Sequence, residues 1–156
     1  METSCGIIPF RKNGDGELEF FLGHPGGRYN NQRDLWMFLK GTTENNESHH
    51  EAAIREFKEE TGLSMDDCES NVLIPLGSVQ QNPHKLVVAF GLHYPNIDPS
   101  VCFSNTIDGI TPEIDRYEWM TYDKLLRYTH RSHIVFYDQL ILMDNDGVLF
   151  SDILEH

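Results

Sequence analysis

The chain has 156 residues, 39% of them hydrophobic and 24% charged, the size and make-up of one domain able to bury its own core. Its formal net charge of −13 argues against long nucleic acid as a partner, because such proteins carry a basic stripe. No apolar run approaches the roughly 20 residues of a membrane span, and the start METSCGIIPF lacks the basic and apolar parts of a signal peptide.

In chain order, alternation and β-branched or aromatic content predict strands near Cys5–Phe10 and Leu18–His24, joined as a hairpin by the turn signal NGDG at Asn13–Gly16. HPGGRYNNQRD then reads as a loop, and the apolar run Leu35–Leu39 as a buried strand leading to Gly41. Ser48 to about Thr61 reads as a helix: Ser48 with Glu51 makes a capping box, and Gly62 suits the C-terminal end. Strands are expected near Val72–Gln80 and Lys85–Tyr94, a loop over Pro95–Pro112, and a strand near Arg116–Met120. Helical segments close the series near Asp123–Thr129 and Ile134–Met143, an order that makes one mixed α/β layered structure.

Cys5, Cys68 and Cys102 are odd in number and scattered, which fits reduced thiols in the cytoplasm. The eight histidines show no zinc-ligand spacing. Leu154-Glu155-His156 reads as an expression-tag remnant, leaving residues 1–153 as the domain.

Within the predicted helix, Glu56, Glu59 and Glu60 fall on one stripe, and Ala53, Ile54 and Phe57 on the stripe beside it that faces a sheet. Glu51 stands four residues before Arg55, the favourable order for an ion pair, and Lys58 projects away from the glutamates. Three carboxylates without a basic partner make a hard oxygen site of the kind magnesium or manganese prefers. The plainer alternative is a solvated acidic face.

The wider spacing separates these readings. Gly41, five residues, Glu47, seven residues, then Arg55-Glu56-Phe57-Lys58-Glu59-Glu60-Thr61-Gly62-Leu63 matches G-x5-E-x7-R-E-U-x-E-E-x-G-U, where U is apolar. With all seven fixed positions present, a chance match is on the order of one in ten million. The chain therefore resembles the Nudix hydrolases, with Phe57 in place of the usual aliphatic residue and Leu39 where many members carry proline.

That resemblance implies an α/β/α sandwich around a mixed sheet and hydrolysis of a pyrophosphate linkage in a nucleoside diphosphate derivative, with Mg2+ or Mn2+ as cofactor. It implies metal ligation by Glu56, Glu59, Glu60 and the Gly41 carbonyl, with Arg55 and Glu47 holding loop and helix in register. A further carboxylate from a later loop is expected to complete the site. Glu113 is chosen for it, ahead of Asp115 and Glu118. Any of Glu56, Glu59, Glu60 and Glu113 has the chemistry to accept the attacking water's proton.

By the same resemblance Lys40 is expected to reach a phosphate chain, as in enzymes acting on dinucleoside polyphosphates. HPGG at His24–Gly27, LGSV at Leu76–Val79 and PEIDRYEW resemble a bacterial group of predicted nucleoside triphosphate pyrophosphohydrolases. The resemblances thus imply either of these two substrate classes. Ser78, Val79 and Gln80 occupy the region where the family's specificity-marking proline or tyrosine would stand. His24, Tyr29, Trp36 and His84 are weaker candidates for contacts with a base or phosphate: the two histidines read as exposed loop residues, Trp36 as core. Rival readings are a nucleotide-sensing domain that has lost catalysis, which would be expected to lack a box glutamate, and an isomerase on the same fold. Members of the family often pair as homodimers, and no stretch of this sequence locates an interface.

Overall fold

The computed structural model describes residues 1–27, 34–68 and 70–150. Tyr29 and the tag-like residues 154–156 lie outside them. The elements are β1 (Glu2–Lys12), β2 (Leu18–Pro25), β3 (Leu39–Thr42), α1 (His49–Thr61), β4 (Ile74–Asn82), β5 (Lys85–His93), β6 (Ile114–Thr121), α2 (Tyr122–Leu125) and α3 (Ile134–Asn145). Short 3-10 turns stand at Met65–Asp67, Pro99–Val101 and Arg131–His133.

The sheet runs β4-β5-β1-β2-β6. β1 and β5 are parallel from Glu2↔Lys85 to Phe10↔His93, and the remaining strand pairs are antiparallel, so the sheet is mixed as expected. Residues 4–10 of β1 are all buried, the mark of a central strand covered on both faces. Ile8, Phe10, Phe20 and Leu22 pack towards Phe136, Tyr137 and Leu140 of α3. Cys5, Ile7, Phe21 and Leu39 pack on the other face with Ala52, Ala53 and Phe57 of α1. This is the α/β/α sandwich.

The position of the site follows from how β1 shares one edge. Its residues 10–12 pair with β2 across the NGDG turn, where Asn13 Oδ1 accepts from the amides of Asp15 (2.9 Å) and Glu17 (3.0 Å). Its residues 4–7 pair instead with β3, from Ser4↔Thr42 to Ile7↔Leu39. β2 has by then turned away to pair with β6. The gap between β2 and β1 is filled by β3, which delivers Gly41 to the start of the acidic helix.

Two expected boundaries are corrected. The strand predicted at Leu35–Leu39 is Leu39–Thr42, with only a single bridge, Gly23↔Met37, in the apolar run before it. The helix predicted near Asp123–Thr129 is the single turn α2. Among the described residues no helix is long and apolar enough to cross a membrane.

Candidate active site

Helix α1 starts and stops where local chemistry dictates. Ser48 Oγ accepts the Glu51 amide at 3.0 Å, and Gly62 takes the left-handed conformation (φ 76°) with its amide donating to Lys58 O at 2.8 Å. The buried side comprises Ala52, Ala53, Glu56, Phe57, Glu60 and Thr61, so Ala52 takes the core place expected of Ile54. Phe57 is fully buried and its ring meets Tyr94 at 6.0 Å, which accommodates the aromatic replacement. Leu39, where many Nudix members have proline, is also fully buried.

The expectation that the glutamates lack a basic partner is overturned. Arg55 Nε and Nη2 donate to both oxygens of Glu47 (2.7 and 2.9 Å), and Nη1 reaches Glu56 at 2.9 Å and Glu59 at 3.1 Å. Nη2 also donates to Thr42 O at 3.0 Å, tying the helix to the end of β3. Arg55 pairs with Glu47 rather than with Glu51 because the loop before the helix folds back over it. The Glu44 amide donates to Glu47 Oε1 at 3.0 Å and closes that loop. The Arg55 hydrogen bonds, joined by the Glu44 amide, hold the Glu47 carboxyl down at about 2.

The remaining carboxylates sit in the opposite electrostatic situation. Glu56 and Glu60 are 8% and 7% exposed. Burial raises both pKa values, with the neighbouring carboxylates, Glu113 among them, adding to it. Arg55 opposes the rise at Glu56, and Lys40 opposes it at Glu60. Glu113 is raised by burial and by Glu59. Glu56, Glu59, Glu60 and Glu113 are thus one interacting group. Glu118 and Asp115 are engaged elsewhere: Glu118 pairs with Lys124 (2.7 Å), and Asp115 Oδ1 with Nδ1 of His24 (2.8 Å). His24 is fully buried on β2 rather than an exposed loop residue, while His84 sits in the β4–β5 turn and Trp36 lies in the core at 8% exposed.

The loop bearing Glu113 is fixed to the end of α1. Asn105 N donates to Glu59 O (3.0 Å) and Phe103 N to Thr61 O (3.1 Å), while the Tyr117 hydroxyl donates to Glu60 O. Three terminal helix carbonyls, orphans by geometry, are satisfied in this way. Glu113 N in turn donates to Asn105 O (2.9 Å). Residues 105–113, expected as plain loop, form a small hairpin, with Ile107 N on Thr111 O and a Thr106↔Pro112 bridge.

On β3, Lys40 stands opposite Gly6 and interacts with Lys85 of β5. Burial first, then Lys85, lowers the Lys40 ammonium to about 8. His130 and His133 lie within reach of both lysines, and His133 Nε2 meets Gln81 Oε1 at 2.8 Å. Lys85, His130 and His133 escaped the sequence reading; strand pairing and α3 packing bring them to Lys40, and no local motif announces it.

Among the described residues no three carboxylate, histidine or cysteine side chains converge as a ready-made cage. The chemistry nevertheless fits a hard dication that keeps waters and takes substrate oxygens: buried, mutually repelling carboxylates beside a glycine whose backbone is bare.

Comparisons with known proteins bear on the family and the fold. The family model for the NUDIX domain matches residues 3–140. Two curated proteins of Saccharomyces cerevisiae, mRNA-decapping enzyme subunit 2 (strain YJM789) and m7GpppN-mRNA hydrolase (strain S288c), are 26% identical over 107 residues. That stretch is 68% of this chain but 10% of theirs. An Ap4A hydrolase of C. elegans, solved as a binary complex, superposes with TM-score 0.63 at 18% identity, covering 91% of this chain and 98% of that one. The Nudix hydrolase RenU of M. smegmatis gives 0.62 at 15% identity, covering 92% and 86%. The NUDIX domain of Shewanella oneidensis NrtR, in complex with ADP ribose, gives 0.60 at 14% identity, covering 94% and 87%. At these identities the structures establish the shared fold.

Proposed function

The chain belongs to the Nudix family of hydrolases, and on that premise we propose that it cleaves a pyrophosphate linkage in a small nucleotide, with a dinucleoside polyphosphate or nucleoside triphosphate as substrate and Mg2+ as cofactor. The observation that carries this reading is the group Glu56, Glu59, Glu60 and Glu113 beside Gly41, with every fixed position of the box present. A sensing domain without catalysis would have no use for the complete set.

In this mechanism Glu56, Glu59 and Glu60, with the Gly41 carbonyl, would hold the cation. Manganese, also a hard oxygen-seeking ion, is expected to substitute. The chemistry such an ion would supply there is screening of the phosphate oxygens and a more acidic water. Arg55 keeps Glu47, Glu56 and Glu59 at fixed spacing. Water oxygen attacks one phosphorus, the bridging P–O bond breaks, and the departing phosphate leaves as an anion. The water's proton passes to a carboxylate oxygen of Glu113. Glu56 and Glu59 are already bonded to Arg55 and Glu60 is offset by Lys40, so Glu113, exposed at the rim with a raised pKa, is the carboxylate best suited to take it.

Lys40 and Lys85 favour a substrate with more phosphate than the cleaved pair. Two neighbouring, partly buried lysines that repel each other in a chain of charge −13 are stabilised by a polyanion. The same net charge disfavours capped RNA of any length. The three cysteines, which form no disulfide among the described residues, are consistent with a cytoplasmic setting. The C. elegans Ap4A hydrolase likeness supports the dinucleoside class at the level of fold. The test is chromatographic product analysis with Mg2+ on nucleoside triphosphates, diadenosine tetraphosphate, ADP-ribose and a cap dinucleotide. Products of pyrophosphate cleavage from a polyphosphate substrate are expected. Saturable nucleotide binding without cleavage would favour the sensing domain.

A further inference from the structure

Large apolar side chains left in solvent concentrate in one segment: Val101, Phe103, Ile107 and Ile110 all belong to residues 95–112. Phe103, 68% exposed, is the aromatic one of the four, and its ring rests on the end of α1. Its amide is bonded to Thr61 O at 3.1 Å. Its ring lies on the backbone of Gly62, with Cδ1, Cε1 and Cζ only 2.5–3.0 Å from where a Cβ on that glycine would stand. One side of the ring is therefore supported by the end of the acidic helix, and the rest looks outward.

That outward side borders a cleft of about 390 Å³, lined among others by Pro99, Pro112, Ile114, Arg116 and Tyr117. This lies in the small-molecule range. Pro112 and Ile114 are the chain neighbours of Glu113, so the cleft begins where the carboxylate group ends. Its lining mixes apolar and aromatic side chains with the polar Ser104, Asp115 and Arg116. A planar ring with polar edge atoms matches such a lining, and a flat exposed aromatic is the surface such a ring stacks upon.

We infer that Phe103 is a stacking platform for a second base, carried beyond the scissile pyrophosphate of a dinucleoside polyphosphate. The inference rests on the pyrophosphohydrolase reading and narrows its substrate class. A nucleoside triphosphate would leave the platform bare, whereas a dinucleoside polyphosphate reaches it past Glu113.

The experiment compares diadenosine tetraphosphate with adenosine 5′-tetraphosphate, which lacks only the second nucleoside, in wild type, Phe103→Ala and Phe103→Trp. Phe103→Ala is expected to raise KM for the dinucleotide about tenfold, the effect of losing one base–aromatic stack, and to leave the mononucleotide unchanged. Phe103→Trp is expected to keep the wild-type KM, and its added fluorescence, read against the wild-type background, to be quenched by adenosine 5′-monophosphate. Equal effects on the two substrates, or none on either, would overturn the platform. So would quenching that follows protein concentration without nucleotide, which would mean that a second copy covers the ring. If wild type cleaves neither substrate the hydrolase reading fails instead, and the fluorescence titration still decides the platform.

Discussion

The carboxylate of Glu56 lies directly against the backbone of Gly41: a Cβ on residue 41 would stand 2.1 Å from Glu56 Cδ and 2.2–2.4 Å from its oxygens. The glycine is there to let the carboxylate approach, since nothing else at that position leaves room. Gly41→Ala must push Glu56 out of place. Overpacking of this kind costs about 1–3 kcal/mol, and turnover is expected to fall by at least about a hundredfold, the scale of misplacing a reacting group by an ångström. Denaturant unfolding and kcat measured on one preparation check both parts.

Arg55 is the other half of that arrangement. Arg55→Lys keeps the charge but loses the fork that grips both oxygens of Glu47. A loss of about 1.5–3 kcal/mol is expected, the scale of a hydrogen bond to a charged group, with a larger loss of activity because Glu56 and Glu59 lose their spacing. A substitution that leaves turnover intact would show the network to be structural alone.

Helix α1 was legible because its signals are local: Ser48, Glu51, Gly62 and the apolar spacing between them sit within one stretch. The register of β3 was not, because it is set by pairing of Leu39–Thr42 with Ser4–Ile7, over thirty residues away. The choice of Glu47 over Glu51 by Arg55 depends on a loop folding back, which spacing along a helix does not encode. His24 looked like a loop residue beside Pro25, yet β2 continues through that proline at a bulge against β6. The candidate site divides likewise: the box was readable in sequence, while Lys85 and Tyr117 come to its neighbourhood through strand pairing and His130 through the turn that leads into α3.

His133 predicts a pH response of stability. It is 1% exposed, and burial first, then Lys40, lowers its pKa to about 3 from the usual 6.5. The folded state holds it neutral while the unfolded chain protonates near 6.5. Its contribution is therefore fully present above pH 6.5 and is lost as pH falls from there towards 3. Between pH 6.5 and 5 the wild type should lose stability more steeply than His133→Phe, by up to about 1.4 kcal/mol per pH unit. Denaturant titrations of both proteins at several pH values read the difference in slope, and equal slopes would contradict a neutral buried imidazole.

Ser48→Ala removes the acceptor for the Glu51 amide without touching the carboxylates. A loss of about 1 kcal/mol is expected, with kcat unchanged once the protein is folded. A drop in kcat at full folding would mean that the start of α1 shapes the site more than its hydrogen bonds indicate.

The proposed hydrolysis depends on the holding of a divalent ion by the carboxylates of α1. Its most direct test is Mg2+-dependent cleavage of diadenosine tetraphosphate by wild type, Glu60→Gln and Glu118→Gln, with thermal melts as a check on folding. Glu118 is paired with Lys124, apart from the carboxylate group, and serves as the control. Wild type and Glu118→Gln are expected to cleave with saturable dependence on Mg2+, and Glu60→Gln, equally folded, to fall by orders of magnitude. Full activity in Glu60→Gln, or cleavage by wild type that persists after chelation of all divalent ions, would contradict the account.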